Sequence, residues 1–158
     1  MDVYSLRRAT TADVDFLTDV VLSATRAQGR LPADFDEAEY RAGFADWTRE
    51  QMSDPVGRSE TSVIVVDGRR VGRLRVVRDG ATIELAGIQL LPASQSRGIG
   101  SRVISDLLDE ATATQQPLVL SVERDNPRAR NLYRRLGFVE TGLTDNEITM
   151  QHGIVRPR

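Results

Sequence analysis

The sequence predicts a mixed α/β fold of the α+β kind. One mostly antiparallel sheet of six to seven strands carries about four helices on both faces. Three observations lead there. The stretch TSVIVVDGRRVGRLRVVRDGATIELAGIQLLP holds three β-rich runs punctuated by Asp67-Gly68 and Asp79-Gly80, the signal of an antiparallel meander. Elsewhere apolar residues recur at helical spacing. Two strand–helix units after residue 81 add a parallel pair to the sheet.

In chain order, VYSLRRAT reads as the first strand. TTADVDFLTDVVLSATRA follows with a threonine cap and apolar residues at Val14, Leu17, Val20, Val21 and Ala24. Gly29 and Pro32 break that helix. DFDEAEYRAGFADWTREQM reads as a second helix with Phe35, Tyr40, Phe44 and Trp47 turned inward. After the meander, Val103, Ile104, Leu107, Leu108 and Ala111 form one face of a third helix, expected to open near Ser101. PLVLSVE is a buried strand, NPRARNLYRRLGF a short helix ending at Gly137, and FVETGL and EITMQHGI are closing strands. The order is β-α-α-β-β-β-α-β-α-β-β. No repeat or linker appears, so residues 1–155 are expected to form a single domain with a disordered tail at 156–158.

Composition narrows the function. A chain of 158 residues with 40% hydrophobic and 28% charged content suits a soluble domain with a real core. The net charge of -2 gives no global basic field, so no nucleic-acid partner is expected. No apolar run approaches the roughly 20 residues of a membrane span, and MDVYSLRRATTADVD is too polar for a signal peptide. A cytoplasmic protein without a membrane partner is the expectation. The absence of cysteine removes disulfides, zinc-thiolate sites and cysteine nucleophiles. All 21 basic residues are arginines, so no lysine can form a Schiff base. With His152 as the one histidine, expected at the surface or a strand edge, no metal site and no Ser-His-Asp triad are expected.

The informative loop is QSRGIGS, Gln95 to Ser101, between the third meander strand and the third helix. Unpaired amides and the macrodipole make a helix N-terminus a ready anion site. Arg97 and Arg102 add positive charge. The Walker motif is excluded because no lysine exists, and the dinucleotide fingerprint fails because Val103 stands where the third glycine belongs. From the loop alone, a plain glycine turn and a pyrophosphate cradle both remain.

The Gln-x-x-Gly-x-Gly pattern after IELAGIQLLP resembles the acetyl-CoA loop of the GNAT N-acetyltransferase superfamily. SVERDNPRARNLYRRLGFVETG, about 25 residues later, resembles that family's second signature. The resemblance covers nearly the whole chain in element order, and residues 83 to 142 in motif detail. It implies an enzyme that moves an acetyl group from acetyl-CoA to a primary amine of a small molecule, peptide or protein, working as a monomer or homodimer. A non-catalytic acyl-CoA-binding module on the same fold is the alternative.

The same resemblance implies the site. Gln95, Ser96, Arg97, Gly98, Ile99, Gly100 and Ser101 would bind the CoA pyrophosphate. Main-chain groups of Ile88, Gln89 and Leu90 would hold the pantetheine arm and polarise the thioester. Gly87 would mark a bulge that splays this strand from LVLSV. Asn126 would contact pantetheine, and Asn-Pro is also an ideal helix cap. Arg130 would reach CoA phosphates, with a solvated helix arginine as the plain alternative. Tyr133 would be the general acid for the departing thiolate, with core packing as its alternative. Glu84, 11 residues before Gln95, would be the general base. Its alternative is an ion pair with Arg73 or Arg75, and Glu123 is the reserve base. The acceptor is not identified. Between residues 30 and 60 stand Asp34, Asp36, Glu37, Glu39, Asp46, Glu50, Asp54 and Glu60 against Arg30, Arg41, Arg49 and Arg58. That excess of acid reads either as a rim for a cationic amine or as a solvated helix face.

Overall fold

Alternation and turn chemistry place seven strands where the sequence puts them. The computed structural model describes residues 3–54 and 57–153. The strands are β1 (Tyr4–Arg8), β2 (Ser59–Val66), β3 (Arg69–Arg78), β4 (Ile83–Leu90), β5 (Leu118–Glu123), β6 (Val139–Leu143) and β7 (Glu147–His152). The helices are α1 (Val14–Ala27), α2 (Glu37–Met52), α3 (Ile99–Thr114) and α4 (Pro127–Arg135). The predicted element order is the observed one. The sheet order is β1-β2-β3-β4-β5-β7-β6, with β4 and β5 parallel. The pairs β1/β2, β5/β7 and β6/β7 are antiparallel. The expected tail at 156–158 lies outside the described residues.

The contacts divide the chain into two compact units, Met1–Arg75 with Gly87–Gly100, and Val76–Ala86 with Ser101–Arg158. In the first, Ala9, Leu17 and Val63 form a core cluster against which Phe16, Phe44, Met52 and Val65 pack. A 3-10 turn at Thr11–Asp13 leads into α1. Asp13 is buried, and its carboxylate accepts from the Thr10 amide at 2.9 Å. It also accepts both terminal nitrogens of Arg7, each at 2.9 Å, and one nitrogen of Arg70 at 3.3 Å. A capping carboxylate is thereby fixed by two cations. Asp67 and Gly68 both take positive φ, 52° and 75°, as a two-residue hairpin turn demands.

Helix α2 starts at its cap Asp36, whose side chain accepts from the Glu39 amide at 3.1 Å. Its expected inward aromatics are only partly inside. Phe35, Tyr40 and Phe44 are half-buried, Trp47 is exposed, and Thr48 is the helix's buried residue. The rings stack in a row instead, with centroids 5.5, 5.7 and 5.9 Å apart from Phe35 through Tyr40 and Phe44 to Trp47.

In the second unit, α3 buries Val103, Ile104, Leu107 and Ala111, as its spacing predicts, while Leu108 is half-buried. Leu118, Leu120 and Val122 of β5, with Ile148 and Met150 of β7, supply further core. Arg78 at the end of β3 grips Glu110 of α3 through two bonds of 2.7 and 2.8 Å.

The arginine hydrogen bonds hold the Asp13 carboxyl far below the usual carboxylate range. A depressed folded-state pKa contributes stability that is present above about pH 4 and is lost as pH falls. Asp13→Asn is therefore expected to cost about 1–3 kcal/mol near neutrality. In urea titrations from about pH 7 down to about pH 3, the gap from the parent chain should narrow.

Candidate functional site

In the first unit, a 3-10 turn at Pro92–Ser94 carries the chain from β4 toward α3. The Gln95 side-chain amide donates to the Leu90 carbonyl at 3.0 Å, so the start of the loop is tied to the end of β4. Ser96 and Gly98 both take positive φ, 62° and 83°. The helix begins at Ile99, two residues earlier than expected. Gly98 supplies the left-handed turn, and Ile99 is then buried at once, 3% exposed, so the first helical residue is already anchored. The amides at the start of α3 have no helical partner preceding them. Gly100 has no positive φ, and a Cβ on it would meet Leu90 Cδ1 only at 3.8 Å. Among the described residues nothing crowds a side chain out of that position.

Ile88, Gln89 and Leu90 lie on the half-buried end of β4. The Gln89 side-chain oxygen accepts from Arg73 at 2.9 Å. Gly87 lies within the continuous strand, and a Cβ on it would sit 2.4 Å from an Arg73 nitrogen. Its missing side chain makes room for that guanidinium.

In the second unit, Glu84 is half-buried on β4 and registers with Val119 of β5. Of the two arginines offered as its alternative partners, Arg73 bonds Gln89, and Arg75 bonds Ser59 and Gln51. The Glu84 carboxylate has no hydrogen-bond or ion-pair partner among the described residues. Glu123 is exposed at the end of β5. Asn126 caps α4, accepting from the Ala129 amide at 3.3 Å. Its own side-chain NH2 is unpartnered among the described residues. Ser101 is half-buried in α3.

Tyr133 is buried in α4 with its ring edge-on to Phe138 at 5.6 Å. No group among the described residues hydrogen-bonds its hydroxyl. Burial pushes that hydroxyl up to about 12. Arg130 bonds Glu140 at 2.9 Å, and Arg134 shares the same carboxylate. His152 ends β7, is half-buried and pairs with Leu118 of β5, and its ring packs on Phe138 at 5.5 Å.

Arg73 and Arg75 themselves carried no functional reading in the sequence, where they served only as possible partners of Glu84. The signal was there: arginines two apart on a strand share a face, and Tyr40, Phe44 and Trp47 line one side of α2. Part of the acid excess of residues 30–60 is answered by arginines. Glu37 pairs with Arg26 and Arg41, Asp46 with Arg49, and Glu60 with Arg8. Among the described residues no cluster of histidine and carboxylate could hold a metal, and no helix is long and apolar enough to cross a membrane.

A model of the acetyltransferase (GNAT) family matches residues 22–138. The chain belongs to the GNAT acetyltransferase family. It is 32% identical over 139 residues to the N-alpha-acetyltransferase RimI of Mycobacterium tuberculosis, covering 84% of this chain and 85% of that protein. The PaiA N-acetyltransferase of Thermoplasma acidophilum, solved with coenzyme A, superposes with a TM-score of 0.80 at 15% identity, over 96% of this chain and 99% of that one. An acetyltransferase from Thermus thermophilus gives 0.79 at 16% identity, over 98% and 100%. The GNAT family uses acetyl-CoA as its acetyl donor.

Gly98 and Gly100 separate backbone need from empty space. Gly98→Ala forces a side chain into a left-handed turn and is expected to cost about 1–2 kcal/mol. Gly100→Ala improves helix propensity and is expected to be neutral or stabilising by up to about 1 kcal/mol. Urea unfolding of the two variants without ligand checks the contrast.

Proposed function

We propose that this GNAT protein transfers an acetyl group from acetyl-CoA directly to a primary amine, within a complex of enzyme, donor and acceptor. The observation that carries the reading is Gly100. It is a glycine at the opening of a helix whose own neighbours leave room for a methyl group, so its smallness serves something outside the protein. A pyrophosphate bound by the amides of Gln95 to Ser101 is such a thing, since it needs close approach of backbone to phosphate.

Each remaining group has one task. The main chain of Ile88 to Leu90 holds pantetheine and polarises the thioester carbonyl. Asn126 donates its free NH2 to the same arm. Arg130 is the weakest member, because Glu140 already holds its guanidinium. The Glu84 carboxylate accepts a proton from the amine. The nitrogen lone pair attacks the carbonyl carbon, a C–N bond forms and the C–S bond breaks. The departing sulfur takes its proton from the Tyr133 hydroxyl. No cysteine exists to carry the acetyl group between half-reactions, which supports direct attack.

Thermal shifts against CoA, acetyl-CoA, ATP and NAD test the donor. Saturating CoA is expected to raise Tm by about 5 °C or more, and stabilisation by ATP or NAD alone would sink the reading. Gly100→Ala should keep its fold yet lose about tenfold or more in CoA affinity.

Thiol release over an amine panel tests the chemistry. Tyr133→Phe and Glu84→Gln are each expected to lower kcat by about 10²–10⁴. Full activity in Glu84→Gln would move the base to Glu123 or water. Because the Tyr133 proton is held up to about 12, the acid stays loaded as pH rises. The Tyr133-dependent part of kcat should persist from about pH 7 to about pH 10, and a loss centred near about pH 8 would remove it from this role.

A further inference from the structure

Arg73 is a charge that the protein leaves unanswered. Its side chain enters from β3 and is 4% exposed. One terminal nitrogen donates to Gln89 at 2.9 Å, and the guanidinium lies 5.5 Å from the centre of the Phe44 ring. Its Nε has no hydrogen-bond partner, and no carboxylate pairs with it among the described residues. The neighbouring cation Arg75, stacked 5.0 Å over Trp47, adds repulsion rather than relief. Burial first, then Arg75, brings Arg73 down to about 10, so it is still protonated near neutrality. A buried cation whose neighbours are a neutral amide, a ring and the Tyr40 phenol, with no carboxylate among the described residues, is destabilising unless an anion completes it. The surface of the same unit shows the contrast, since Arg7, Arg26 and Arg41 all hold carboxylates.

The position of this guanidinium gives the missing anion a purpose. Arg73 lies against Gly87, one residue before the Ile88 to Leu90 segment. Gln89, its partner, keeps a side-chain NH2 that is unpartnered among the described residues and can also donate to an anion. The ring of Phe44, stacked on Tyr40, supplies an apolar wall beside the charge.

We propose that Arg73 and Gln89 receive a carboxylate of the acceptor, so that the substrate is a small amine of the free amino-acid type rather than a polycation. The inference rests on the acetyl-transfer reading and narrows its acceptor. A planar guanidinium with free donors fits a carboxylate by paired hydrogen bonds. The apolar wall at Phe44 suits an amino acid with an aromatic or aliphatic side chain.

The test uses the full chain with acetyl-CoA and follows thiol release. The acceptors are phenylalanine, leucine, their carboxamides, a leucine-initiated tripeptide and spermidine. The intact protein is expected to favour each free acid over its amide by about tenfold or more in kcat/KM. Arg73→Gln should bring that ratio close to one, chiefly through KM for the acid, and Arg73→Lys should restore part of it. Preference of the intact protein for amides, tripeptide or spermidine would overturn the proposal, and that result does not depend on any variant folding. An equal loss on acid and amide in Arg73→Gln would overturn it too, because Arg73 would then serve packing or the donor. No thiol release with any amine, together with no stabilisation by CoA, would remove the acetyl-transfer reading and this inference with it. Release from amides alone would remove only the inference.

Discussion

The way the end of β4 is held governs the first unit. Gly72 on β3 leaves no room for a side chain: a Cβ there would sit 2.6 Å from Leu90 and 2.7 Å from the Gln89 carbonyl. That close approach fixes the path of β4. The Leu91 amide then reaches the Val71 carbonyl at 2.9 Å, and the Gln95 side chain closes on the Leu90 carbonyl. From this tied end the chain turns through Ser96 and Gly98 into α3. The loop amides are therefore positioned by a rigid strand rather than by their own preferences, as a binding site requires. On the same strand, Gly87 gives up its side chain to the Arg73 guanidinium. Two glycines thus set both what precedes the loop and what lies beside the strand.

A second regularity is where polar groups go unpaired. Most of the protein is well answered: Asp13 holds Arg7 and Arg70, Arg78 holds Glu110, and Asp36 and Asn126 cap their helices. Against that background a few side chains keep unused capacity among the described residues. Among them are the Glu84 carboxylate, the Tyr133 hydroxyl, the NH2 groups of Asn126 and Gln89, the buried Thr48 hydroxyl and Nε of Arg73. Local rules are broken mainly where function compensates for the cost.

The arginine-only composition shapes this arrangement. A lysine in the place of Arg73 would carry a compact, strongly hydrated charge and would shed its proton readily when buried. A guanidinium brought down only to about 10 is still charged near neutrality, can lie flat on a ring and presents several donors at once. The same property lets Arg7 grip Asp13, and Arg78 grip Glu110, through two parallel bonds. The Arg73 guanidinium therefore keeps its charge near neutrality even though it is buried.

The sequence by itself determined the order of elements, because turn pairs such as Asp67-Gly68 and the helical spacing of Val103, Ile104 and Leu107 are local properties. It also marked the loop, since two glycines and an arginine directly before an amphipathic run are visible in the chain itself. Tertiary structure decided what local pattern cannot encode. Trp47 is exposed because α2 lays its rings in a row instead of burying them, and Arg130 is spent on Glu140. Arg73 bonds Gln89 rather than a carboxylate. Whether a charge is paired depends on which strand or helix arrives beside it. That is a matter of residues distant in sequence, and no periodicity along the chain records it.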